Sequence, residues 1–447
     1  MKKVFATLLL LCMLFATLGV GAGCADPVET LYVYNWADYI GPGVTEDFEA
    51  YYEAKTGKQI KVVYSTFDTN ETMLSKLING DADVDVVCPS EYAIQKLILE
   101  DKLWKFEPEE NIENYGNVDP DIIDKVEGTF GAIKLKDGTT VNMNDYFVPY
   151  MYGTLGILYN ENYVTEEDLA TGWGLMWNAN NNPDLEGKIL MKDSIRDAYA
   201  VAVGRALETG ALPAGLAGKT AEELINTATP EMVEVVSDLL EQQRQILQGY
   251  EVDFGKDDMI RQRAYVCLAW SGDALWAIED SPEDVPLAYC TPGDCVNVWF
   301  DGWAIPKSSS NKDAAVEFIN FMTRPDIGIR NSIEIVYTSA LSRESLIASE
   351  GTEYDAIALL IENEYDPEEY FADEARYPDI FDAKFGMMRD FGANNRAVVS
   401  MWERVKVTDN SGTLLIITGV CAGATGLVLG GLTIIQRMKG RRRLIKE

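Results

Sequence analysis

The sequence predicts an α/β protein of two lobes followed by one membrane-spanning helix, and three observations carry that prediction. Strand-like and helix-like stretches alternate from Leu31 onward. Residues 24–412 form a stretch ample for two ordinary domains. Residues 413–435 carry no charge and are long enough to cross the hydrocarbon core of a bilayer.

The alternation can be followed element by element. Residues 31–36 read as a strand that ends at a loop, and residues 45–55 as a helix with Phe48, Tyr51 and Tyr52 on one face, stopped by Gly57. Residues 59–64 alternate Ile60, Val62 and Tyr64 as a strand. Asn70 reads as the N-cap of a helix that buries Met73, Leu74, Leu77 and Ile78 and closes at Gly80. Residues 84–88 are the next strand and 91–100 the next helix. This βαβαβα start implies a mainly parallel sheet covered by helices. The theme continues with strands over 155–159, 188–191, 265–270 and 297–305, and helices over 194–207, 230–247 and 312–323.

The two ends place the chain in a cell envelope. Residues 1–23 run from Lys2 and Lys3 through an apolar stretch to small residues, the order of a secretory signal. Gly21-Ala22-Gly23-Cys24 resembles a lipoprotein cleavage box that would lipidate Cys24, although Gly21 stands where leucine is usual. Ordinary signal-peptidase cleavage is the alternative. Residues 436–447 hold Arg437, Lys439, Arg441, Arg442, Arg443 and Lys446, a basic cluster that marks the cytoplasmic side of the 413–435 helix. The expected topology is therefore an extracytoplasmic body, one crossing and a short cytoplasmic tail. Gly419 with Gly423, and Gly426 with Gly430, have spacings that let two membrane helices approach closely.

Composition narrows the function classes. The net charge of −34 becomes about −41 once the signal and tail are set aside, which excludes nucleic acid and favours cations. There is no histidine for acid–base work, no zinc-type cysteine pair, and no Gly-x-Ser-x-Gly or phosphate-loop motif, so neither an enzyme nor a metal or cofactor is expected. Cys290 and Cys295 flank a Thr-Pro-Gly-Asp turn, a setting for a local disulfide outside the cell, whereas Cys88 and Cys267 read as packing residues.

Aromatic residues and carboxylates coincide where strands end, which is where open α/β sheets bind ligands. Trp36, Asp38 and Tyr39 follow the first strand, and Ser90 and Tyr92 the third. Asp197 begins a helix, Trp270 and Asp273 follow another strand, and Trp299 and Asp301 are two apart and so share a strand face. Carboxylates hold ammonium groups through charge-assisted hydrogen bonds, and aromatic faces hold both methylenes and cations. A polyamine needs these two residue types and little else. Core packing for any one aromatic, and a solvated loop for any one aspartate, are the competing readings.

Six segments then resemble, in order, those of the spermidine/putrescine-binding proteins of ABC importers. They are Tyr34-Asn35-Trp36-Ala37-Asp38-Tyr39-Ile40, Tyr64-Ser65-Thr66, Asn70-Glu71-Thr72-Met73, Val87-Cys88-Pro89-Ser90, Trp299-Phe300-Asp301 and Phe321-Met322-Thr323-Arg324-Pro325-Asp326. The resemblance implies a two-lobed class II periplasmic-binding fold that closes around its ligand. Residues 27–149 and 299–338 would make lobe 1, and 150–298 and 339–407 lobe 2, with crossings near Tyr150, Trp299 and Ser339. It further implies that Trp36, Tyr39, Tyr92, Trp270, Trp299 and Tyr337 form aromatic walls. Asp197, Asp273 and Asp301 would bind ammonium groups, with Asp38 and Ser90 adding polar contacts. The expected partners are a polyamine and the ABC permease subunits. Receptors for another organic cation, and a sensor not coupled to import, are the alternatives. Ala37 replaces a hydroxyl residue usual in the family, Ser194 replaces an acidic one, and no glutamine stands near Met387-Met388; the Ser194 change and Asp273 lean toward putrescine. The membrane helix also departs from the family pattern.

Overall fold

The first three strands form a parallel set because each alternating or apolar run is followed by a helix that brings the chain back. In this computed structural model, which describes residues 28–80 and 83–407, β1 (Glu29–Trp36) lies between β2 (Ile60–Phe67) and β3 (Val86–Val87). Helices α1 (Val44–Thr56), α2 (Asn70–Asn79) and α3 (Glu91–Leu99) make the returns. Gly57 and Gly80 end α1 and α2 with left-handed backbones of φ 75° and 76°, conformations that favour glycine. The cap of α2 is Thr69, whose side chain accepts from the Thr72 amide, and not Asn70 as the sequence suggests. Asn70 is buried instead, and its amide is used in the site described below.

A second parallel set mirrors the first. β5 (Ile189–Lys192) lies between β6 (Gly249–Glu251) and β7 (Val266–Trp270), with α4 (Ile195–Thr209) and α5 (Pro230–Arg244) in the connection from β5 to β6. Between the sets run two long antiparallel strands, β4 (Phe147–Asn160) and β9 (Val296–Ala304). β9 meets β3 at Ala304, and β4 meets β7 along residues 155–159, so the order across the sheet is β2-β1-β3-β9-β4-β7-β5-β6.

The residues at which crossings were expected lie on or beside this central pair. Tyr150 lies inside β4, Trp299 pairs with Gly153, and Ser339 of β10 (Thr338–Ser339) pairs with Met151. β4 and β9 are buried almost throughout and are mostly apolar, with Thr154, Asn160, Asn297 and Asp301 as buried polar exceptions. Helices α6 (Ser271–Glu279), α7 (Lys312–Met322) and α8 (Pro325–Ile335), with α9 (Asn395–Lys406), complete the cover.

Two further expectations meet the structure here. Cys88 and Cys267 are buried packing residues, as read. Cys290 and Cys295 are free thiols, not a disulfide. The turn between them already has its local order from Gly293 and from Cys295 itself, both at positive φ. The signal segment, Cys24, the 413–435 helix and the basic tail lie outside the described residues. Among those that are described, no helix is long and apolar enough to cross a membrane.

Candidate functional site

All eleven residues singled out as ligand contacts line one cavity of about 800 Å³. Trp36, Asp38 and Tyr39 enter from the end of β1, and Ser90 and Tyr92 from the start of α3. Asp197 comes from the first turn of α4, Trp270 and Asp273 from the β7–α6 junction, Trp299 and Asp301 from β9, and Tyr337 from the end of α8. Strand ends from both parallel sets therefore converge on the central pair, as the strand-end rule requires.

Asp301 is the most elaborated of these residues. Only 4% exposed, its carboxylate accepts from Ser90 Oγ at 2.7 Å, Tyr39 Oη at 2.8 Å and Trp299 Nε1 at 3.2 Å. The Ser90 hydroxyl is aimed by Asn70, whose amide donates to the same Oγ at 3.0 Å and leaves the hydroxyl proton for Asp301. The Tyr39 carbonyl is held in turn by Tyr150 Oη at 3.0 Å and by the Asn35 amide at 3.2 Å. Burial pushes the Asp301 carboxyl up to about 6, against the pull of the Ser90, Tyr39 and Trp299 hydrogen bonds, and the nearby Asp197 charge adds to the rise. All three donors are neutral, and among the described residues no lysine or arginine pairs with it.

Asp197 repeats the pattern in smaller form. Buried, it accepts from Trp270 Nε1 at 3.1 Å. Its carboxyl is raised chiefly by burial and is pulled back by Ser194 and Trp270. Around these carboxylates the rings form a continuous wall. Tyr39 meets Tyr337 edge-on at 5.2 Å between centroids, Tyr337 meets Trp299 at 6.3 Å, and Trp299 meets Trp270 at 6.5 Å. Two glycines make room for this wall. A Cβ on Gly153 would lie 2.7 Å from the Trp299 ring, and one on Gly272 would lie 2.4 Å from the Tyr337 ring.

Asp273 is placed differently. Its Oδ2 pairs with Lys192 Nζ at 3.3 Å and its Oδ1 with Lys256 Nζ at 3.4 Å. Lys192 also pairs with the buried Glu251 at 2.8 Å and donates to the Val252 carbonyl at 2.7 Å. Burial works against the Lys192 charge, but Asp273 and Glu251 outweigh it and hold the ammonium above the usual lysine range. The remaining expected residues sit at the rim. Trp36 is half-buried against Phe67 at 4.5 Å, and its indole nitrogen has no partner among the described residues. Asp38 is exposed in a left-handed turn with φ 50°. The Tyr92 hydroxyl donates to Glu71 at 3.2 Å.

Lys192, Glu251, Arg196 and Glu91 are among the charged lining residues that were not anticipated. Arg196 is buried, with its guanidinium 3.6 Å from the Phe391 ring centroid. Glu91 is fully buried, and burial pushes its carboxyl up to about 8, although it accepts from the Phe300 amide at 3.0 Å. Its position directly after Ser90, at the start of α3, is the one signal in the sequence that could have pointed to Glu91.

The chain is similar to known proteins over most of its length. The family of bacterial extracellular solute-binding proteins matches residues 47–341. The spermidine/putrescine-binding periplasmic protein of Escherichia coli (strain K12) is 29% identical over 335 residues, 74% of this chain and 84% of the relative. A putrescine-binding periplasmic protein of the same organism is 27% identical over 336 residues, 73% of this chain and 82% of the relative. Among solved structures, the spermidine/putrescine ABC transporter substrate-binding protein of Streptococcus pneumoniae superposes with a TM-score of 0.59 at 26% identity. The two share 85% of this chain and 98% of that one. A putative spermidine/putrescine ABC transporter protein of Listeria monocytogenes gives a TM-score of 0.63 at 26% identity, covering 85% and 99%.

Proposed function

From the premise that the chain belongs to the bacterial extracellular solute-binding proteins, a family of receptors and not of enzymes, we propose that it captures polyamines, putrescine and/or spermidine, for an ABC importer. The observation that carries this reading is Asp301. It is a buried carboxylate at the centre of an aromatic wall, solvated by three neutral donors and paired with no cation among the described residues. Burying an ionised carboxylate is costly unless a counter-charge arrives, and a protonated amine supplies one. The amine's hydration shell is replaced by Asp301, Asp197 and the Trp299 and Trp270 faces, which attract ammonium groups by about 0.5–2 kcal/mol each.

Capture proceeds by closure of two lobes, 27–149 with 299–338 against 150–298 with 339–407. The long strands β4 and β9 run between them as the connecting pair. Closing excludes water and strengthens each ammonium–carboxylate interaction by lowering the local dielectric. Trp36, Asp38 and Tyr92 serve as the rim that covers the ligand. The body is held at the outer face of the membrane by the 413–435 helix, with residues 436–447 in the cytoplasm and Cys24 as a second attachment. An ABC permease is the partner that receives the ligand.

The test is calorimetric titration of the full chain with putrescine and spermidine, after carried-over ligand has been removed by unfolding and refolding. One-to-one saturable binding that is lost in Asp301→Asn supports the reading. Absence of heat with either amine overturns it.

A further inference from the structure

The ammonium of Lys192 sits as a bound ligand's ammonium would. It is 2% exposed. It has three donors, and three acceptors surround it: Glu251 at 2.8 Å, the Val252 carbonyl at 2.7 Å and Asp273 at 3.3 Å. Its fourth side is closed by the Trp270 ring, whose centroid is 4.2 Å away. The other oxygen of Asp273 is taken by Lys256. One carboxylate of the cavity and one face of its aromatic wall are thus already used by the protein's own chain. Asp301 and Asp197 keep only neutral donors.

We propose that Lys192 is a specificity-determining residue that fills one ammonium position of the cavity from within, so that the site accepts a short diamine and rejects a triamine. A third ammonium directed along the Trp270 wall would meet the fixed Lys192 charge in a buried setting, where like charges repel strongly. A diamine engages Asp301 and Asp197 and stops short of it. Its burial points the same way, because a lysine at the buried end of the Ile189–Lys192 strand has no packing role that an apolar residue would not perform better.

This inference rests on the polyamine reading, and the experiment separates the two. Putrescine and spermidine are titrated into the full chain, into Lys192→Met, and into the double variant Lys192→Met/Glu251→Gln, which removes both buried charges together and so preserves folding if the single change does not. Folding is checked by a single cooperative melting transition. The expected result is that the wild-type chain binds putrescine at least about tenfold more tightly than spermidine. That ratio should fall by about tenfold or more in the folded variant as Asp273 becomes available. A ratio unchanged within about twofold in the folded double variant, or a wild-type preference for spermidine, overturns the proposal for Lys192 alone. Absence of binding by the wild-type chain to either amine overturns the polyamine reading and this proposal with it.

Discussion

Asp301 and Asp273 are the same side chain in the same cavity, and the protein treats them in opposite ways. Asp301 is surrounded by a serine, a tyrosine and a tryptophan, all neutral. Asp273 carries a lysine on each oxygen. A buried carboxylate without a counter-ion is unstable by itself, so its retention needs a partner that comes from outside. A carboxylate with both oxygens paired is already part of the framework. The pairing of a carboxylate, more than its presence, separates the ligand's share of the site from the protein's.

The sharpest way to break this contrast is to neutralise each aspartate in turn. Asp301→Asn should reduce polyamine affinity by about a hundredfold or more, since truncating one partner of a buried, hydrogen-bonded charge pair costs roughly 2–5 kcal/mol or more. The ligand-free melting temperature at pH 7.5 should not fall, because the change removes an uncompensated buried charge. Asp273→Asn should do the reverse. Lys192 then depends on Glu251 alone, and stability should fall by about 2 kcal/mol, less than the 3–5 kcal/mol of a fully broken buried pair. Titration calorimetry and urea denaturation on both variants decide the matter; equal losses of affinity with no loss of stability would erase the distinction.

The next effect is on pH. The Asp301 carboxyl stands at about 6 in the fold, above the value of about 4 for an unfolded chain. Its contribution to ligand-free stability is therefore complete below pH 4 and is lost as pH rises through 6. Ligand affinity runs the other way. It should be constant above pH 6 and fall by about tenfold per unit below it, as the carboxylate must lose a proton to receive the ammonium. The residual binding of Asp301→Asn should lose the bend near pH 6 that Asp301 supplies. A profile that bends instead near pH 4 would show that a more exposed carboxylate holds the ligand.

Much of this arrangement was legible in the sequence. The βαβ rhythm gave the parallel sets, and the rule that ligands lie beyond strand ends selected ten of the eleven residues that now share the cavity, Tyr337 coming from the family resemblance alone. Trp299 and Asp301 were placed on one face by their spacing, and the structure joins them by a hydrogen bond. What was not legible was pairing. Lys192 falls just past the strand expected over 188–191, and Glu251 closes a three-residue strand too short for any periodicity. Lys192 meets Asp273 across 81 positions and the Val252 carbonyl, next to Glu251, across 60, and the order of β5, β6 and β7 that joins them is not encoded by composition. The Asn70 cap failed for a related reason. Thr69 and Asn70 are both good caps, and only the fold shows that the Asn70 amide is needed to aim Ser90.

A milder perturbation tests how the Asp301 corner divides its work. Tyr39→Phe removes one of three donors while leaving the ring that packs on Tyr337. A single hydrogen bond to a charged group contributes about 1.5–3 kcal/mol, but two donors remain and the ligand takes up part of the difference. The affinity at pH 7.5 should therefore fall by only about fivefold, and the pH at which binding weakens should move up. A fivefold loss without a shift in the pH profile would mean that the hydroxyl touches the ligand and not the carboxylate.

The smallest effect concerns the field outside the cavity. The body carries about −41 charges, which serve either to draw in cations or only to keep the protein soluble. The two roles differ in kinetics. Charges at the surface are screened over about 10 Å at 0.1 M salt, whereas the buried Asp301 contact is screened much less. If the field steers the ligand, raising salt from 50 to 300 mM should slow association by about threefold and leave dissociation nearly unchanged. Trp270 and Trp299 line the cavity and supply the fluorescence signal for stopped-flow measurement. An association rate indifferent to salt would assign the acidic surface to solubility. It would also leave the cavity's few buried carboxylates with the whole task of choosing a cation.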